Sequence, residues 1–74
     1  MNYEIAPIED IHAGRLFWYP ANVTAHRFAR WVIVQVLGVA LAKMPQQVEI
    51  TIIGADGGSF WTNPDALHYQ TPKR

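Results

Sequence analysis

The chain has 74 residues, 50% apolar and 16% charged, with six basic and six acidic side chains in balance and no cysteine. That length leaves room for one domain spanning residues 1–74, and the absence of cysteine excludes a disulfide framework and thiolate metal sites. Zero formal charge gives no long-range attraction to nucleic acid or an anionic membrane, while a chain this small buries only about 60% of its unfolded surface, so its apolar excess predicts association with another chain.

Asn2 to Ala6 reads as the first strand, with Tyr3 and Ile5 alternating against Asn2 and Glu4 until Pro7 removes a ladder donor. Pro7 to Ile11 suits a short helical turn, with Glu9 and Asp10 at its favourable end. Arg15 to Tyr19 is the densest β-forming run of the first half. Its alternation places Leu16 and Trp18 on one face and Phe17 and Tyr19 on the other, so both faces are apolar, and Pro20 is expected to stop it.

Thr24 to Lys43 is predicted to be a long helix, capped by Asn22 or Thr24 and ended by Lys43 and Met44-Pro45. Winding at 100° per residue gathers Ala25, Phe28, Ala29, Val32, Val36, Val39 and Ala40 on a core stripe, with Arg27, Arg30, Val34, Leu37, Gly38 and Leu41 opposite. The β-branched cluster Val32, Ile33, Val34 and Val36 also fits a buried strand, but length and caps at both ends favour the helix. The apolar run from Trp31 to Ala42 is too short to span a membrane.

Val48 to Ile53 alternates again, with Val48, Ile50 and Ile52 inward. Asp56-Gly57 signals a tight turn and Ser59 to Thr62 a returning strand. Asn63-Pro64 can cap a short helix or begin a turn, and Leu67 and Tyr69 beyond it could equally alternate in a closing strand. These elements predict an α+β fold: a four-stranded, mainly antiparallel sheet with one long helix packed on one face, in ββαββ order.

Polar chemistry is sparse. Glu9, Asp10 and His12 form the one compact trio, which more commonly marks a charged turn than a metal or proton-transfer site. Ser59 is the only serine, and the glycines around Asp56 lead into a strand where a phosphate loop would lead into a helix. No catalytic residue, cofactor or metal is therefore assigned.

Partner binding is assigned to Phe17, Trp18, Tyr19, Arg27, Arg30, Val34, Phe60 and Trp61, because one helix covers one sheet face and leaves aromatics on the other. The function expected is a non-catalytic protein-binding module, a stoichiometric inhibitor or adaptor of a larger host assembly, or a chain that associates with itself as a homodimer. Small neutral proteins without motifs are frequent among phage and mobile-element products, anti-CRISPR inhibitors included. The alternative is a single-stranded nucleic-acid binder that stacks bases on aromatics, with a small enzyme or metal protein third. The opening residues carry no cationic, apolar leader, so the expected compartment is the cytoplasm.

Overall fold

A computed structural model describes residues 2–21, 30–54 and 57–72. Six strands account for most of them: β1 (Asn2–Ile5), β2 (Leu16–Ala21), β3 (Arg30–Ala40), β4 (Gln47–Ile52), β5 (Phe60–Thr62) and β6 (His68–Thr71), with 3-10 turns at Ile8–Asp10 and Pro64–Ala66. They form one antiparallel sheet in the order β1-β6-β2-β3-β4-β5. The fold is thus nearly all β, and the expected α+β architecture with a long helix is wrong.

The error lies in the central segment, where Arg30–Ala40 is an eleven-residue strand. The first part of the expected helix, with Ala25, Arg27, Phe28 and Ala29, lies outside the described residues. Val32, Ile33, Val34 and Val36 have stiff side chains that suit a pleated surface better than a helix. The segment also finds partners on both sides: Phe17 opposite Val34 on β2, and Ile52 opposite Val34 on β4. Tertiary pairing of this kind outweighs the weak capping signals at its ends.

β2 runs through Pro20 rather than stopping there. Val36 exchanges backbone hydrogen bonds with Gly14 and Arg15, so even-numbered residues of β3 face β2 and Pro20, opposite Trp31, occupies a non-hydrogen-bonded position. The missing N–H therefore breaks no rung of that ladder.

Alternation along each strand separates a core face from an outer face. Phe17, Val34, Val36, Val48 and Ile50 are buried on the core side, joined by Ala6, Ile11 and Leu67 from the flanking turns. The rings of Tyr19 on β2 and Phe60 on β5 lie 5.5 Å apart, although β3 and β4 run between their strands. On a flat sheet three strand spacings would separate them by about 14 Å. Over β2–β5 the sheet therefore curls towards its core face, as a half-barrel. An irregularity between Val36 and Gly38 leaves Leu37 as an extra residue on β3, a bulge of the kind that increases local twist. Curling also lets the short Asn63–Leu67 link carry the chain from β5, at one edge, to β6 between β1 and β2. There Leu67 is fully buried and its carbonyl accepts from the Ala6 amide at 2.8 Å.

Candidate interaction face

The outer face begins with β3. Once Val32, Val34 and Val36 turn inward, Trp31, Ile33 and Gln35 must turn outward. Register then sets Ile33 beside Trp18 of β2, and Trp18 beside His68 of β6. Tyr3 of β1 lies next to Gln70 of β6, whose amide donates to the Tyr3 hydroxyl at 3.0 Å.

These positions assemble an aromatic cluster across four strands. Tyr3 and Trp31 stack with centroids 3.9 Å apart and planes 4° from parallel. Trp18 meets Tyr3 edge-on at 5.8 Å, and His68 meets Trp31 edge-on at 4.8 Å. His68 Nδ1–H donates to the Ala66 carbonyl at 2.8 Å, which fixes the ring's orientation.

Around the cluster lie exposed apolar side chains: Ile5, Leu16, Ile33 and Ile53 are 59, 54, 38 and 50% exposed, while Trp61, 49% exposed, lies apart from them on β5 opposite Glu49. Two shallow depressions flank Trp18 and Ile33. One, of about 300 Å³, reaches Leu16, His68 and Gln70, and the other, of about 370 Å³, reaches Arg30, Trp31, Ile53 and Gly54. Basic groups are scarce here. Among the described residues they are Arg15, Arg30 and Lys43, and Arg15 instead lies over the Phe17 ring and donates to the Tyr69 hydroxyl at 3.4 Å.

The residues singled out from sequence divide between the faces. Trp18 and Trp61 lie on the outer face, and Arg30 lines one of its depressions. Tyr19 and Phe60 pair on the concave face. Phe17 and Val34 are core residues, 2 and 0% exposed, with no surface to offer a partner. Arg27 lies outside the described residues. Tyr3, Trp31, Ile33 and His68 were missed. The alternation of Trp31, Ile33 and Gln35 would have found two of them had the segment been read with period two.

Of the polar candidates, Asp10 and Ser59 make hydrogen bonds within the fold. The Tyr69 hydroxyl donates to Asp10 Oδ2 at 2.8 Å, tying the first 3-10 turn to β6. That hydrogen bond to Asp10, helped by burial, raises the phenol above its ordinary pKa. Glu9 and His12 are exposed, and no three His, Asp or Glu side chains among the described residues are placed to hold a metal ion. Ser59 donates to the Glu49 carboxylate across the β4–β5 hairpin, and Gly57 and Gly58 lead towards β5. No helix among the described residues is long and apolar enough to cross a membrane. The chain matches no protein-family model, no curated protein and no solved structure.

Proposed function

We propose that this chain is a non-catalytic protein-binding module, an inhibitor or adaptor that docks on a larger protein through the outer face of its sheet. The observation that carries the reading is the Tyr3–Trp18–Trp31–His68 cluster, built on the face away from the core with exposed isoleucine and leucine beside it. Tryptophan and tyrosine supply large, rigid contact area and dominate binding energy where they occur at interfaces. Aromatic and apolar side chains gathered from four strands onto one face are of the kind enriched in the cores of protein interfaces. Base stacking is the weaker reading, because Trp31 is already stacked on Tyr3 and the depressions hold a single guanidinium.

The test is a quantitative binding assay with the partner recovered by pull-down from the native host and then purified. Leu16→Asp and Ile33→Asp, both beside Trp18, should remain folded, with stability losses of about 1 kcal/mol, while losing about 2 kcal/mol of affinity or more, roughly thirtyfold. Undiminished binding by both variants, or salt-dependent binding of a single-stranded oligonucleotide by the parent, would overturn the reading.

A further inference from the structure

β3 is longer than the strand beside it. β2 accompanies it only from Arg30 to Gln35, where Gln35 lies opposite Leu16, and the last contact on that side is the Val36 exchange with Gly14 and Arg15. Beyond that point β4 alone pairs with β3, through Gly38–Glu49, Val39–Val48 and Ala40–Gln47. Among the described residues no strand lies beside Leu37–Ala40 on the β2 side.

The direction of the backbone groups follows from the ladder. Ile53 N–H donates to the Ile33 carbonyl, so odd-numbered β4 residues point their amides and carbonyls at β3. Glu49 and Gln47 continue that series, which bonds Gly38 and Ala40 to β4 and turns the Val39 N–H and C=O outward. The Leu37 bulge changes which residues of β3 face which neighbour, and Val39 presents an open edge as a result.

From Leu37 to Ala42 the sequence contains no charge and no proline, two of the features by which proteins discourage strand addition, so the Leu37 bulge and the shortness of the open stretch are the only such features here. Leu37 and Val39 are 46 and 44% exposed. An extended strand is the ligand such an edge recognises.

We propose that the open edge of β3 pairs with the same edge of a second copy of this chain, antiparallel about a two-fold axis through Val39. That axis sets Val39 opposite its own counterpart as a hydrogen-bonded pair and Leu37 opposite Leu41 of the other copy. The segment is self-complementary: apolar side chains meet apolar side chains on both strands, and no charge opposes its equal. A foreign strand would find no charged group here to select it, and zero net charge leaves the copies free of long-range repulsion. This contact is separate from the outer aromatic face and does not depend on it.

The experiment combines sedimentation with residue-resolved amide exchange on the unaltered protein. The mass should rise with concentration from 8.4 kDa towards twice that value. Exchange at the Val39 amide should slow with concentration, by about tenfold when the dimer outnumbers the monomer by that factor. The Trp61 amide, which points outward from β5 at the other edge, should not change. Val39→Lys and Val39→Glu, each checked for the parent's circular dichroism spectrum, should be monomeric alone and dimeric when mixed, since the axis brings the two new charges together. A parent that stays monomeric at millimolar concentration, or one that dimerises without protecting the Val39 amide, would overturn the proposal. The amide measurement decides the matter even if the charged variants do not fold.

Discussion

Val34 separates the two conformations open to the central segment, so Val34→Asp tests the fold directly. On a helix Val34 falls opposite the stripe containing Val32 and Val36, where a charge would be solvated and harmless. On β3 it shares their face, wholly removed from solvent between Phe17 and Ile52. Burying an unpaired carboxylate costs several kcal/mol even after relaxation. At about 0.05–0.15 kcal/mol per residue, the stability of all 74 residues is about 4–11 kcal/mol. Val34→Asp should therefore leave little folded protein at room temperature. The graded version, Val34→Ala, removes two methyl groups worth about 0.8 kcal/mol each and leaves a cavity, for a total of about 2–3 kcal/mol. That loss lowers the melting temperature of a domain this size by about 10–20 °C. Ile33→Asp is the control one residue away: its side chain is 38% exposed on the outer face, and the cost there is about 1 kcal/mol. Thermal melts followed by circular dichroism would read all three. A Val34→Asp variant that melts with the parent, or an Ile33→Asp variant that unfolds while Val34→Asp does not, would refute the assignment of faces.

Other expectations follow from single contacts. Tyr69 holds its proton in the folded chain after the unfolded chain has released it, so the stability this contributes is intact below about pH 10 and declines as pH rises through the raised pKa. Phenolate absorbance should show one tyrosine ionising late, and Asp10→Asn should bring it back towards 10. Tyr3→Ala removes the stack on Trp31 and should cost about 0.5–1.5 kcal/mol beyond the lost burial, with a change in tryptophan fluorescence; unchanged emission would count against the stack. Gly54 has φ +85°, so Gly54→Ala should cost about 1–2 kcal/mol in a urea titration, whereas Gly57→Ala, with open space around it, should cost less.

Local alternation proved a good guide wherever a strand has one wet and one dry side. Val48 and Ile50 are fully buried as their spacing with Ile52 indicated, and Phe17 and Tyr19 do share a face opposite Leu16 and Trp18. The short turn at Ile8 was also legible, because Pro7 and the acidic residues after it mark it, whereas the segment after Pro64 fits turn, helix and strand alike in sequence, and β6 has no place in the expected four-stranded sheet. β3 was not, for a geometric reason: Val32 and Val36 are four apart, and residues four apart share a face in a helix and in a strand alike. The residue between them, Val34, decides the matter only once its neighbours in space are known. The candidate interaction face inherited that ambiguity. Trp18 could be placed on a strand in advance, but Trp31 and His68 join it only through pairings that bring distant segments together.

The position of β6 has a consequence for how the chain reaches this shape. Strands β2 to β5 follow one another as a meander and can zip up from neighbouring turns. β1 pairs in the sheet with β6 alone, and β6 enters the gap between β1 and β2. Until residues 68–71 are in place β1 has no ladder to join, so Asn2–Ile5 waits for His68–Thr71. Closing that large loop must precede any reward from the contacts it makes, which places folding in the slower, millisecond-to-second range of β-rich domains. Without His68–Thr71 the sheet would lose both ladders that β6 makes, and β1 with them.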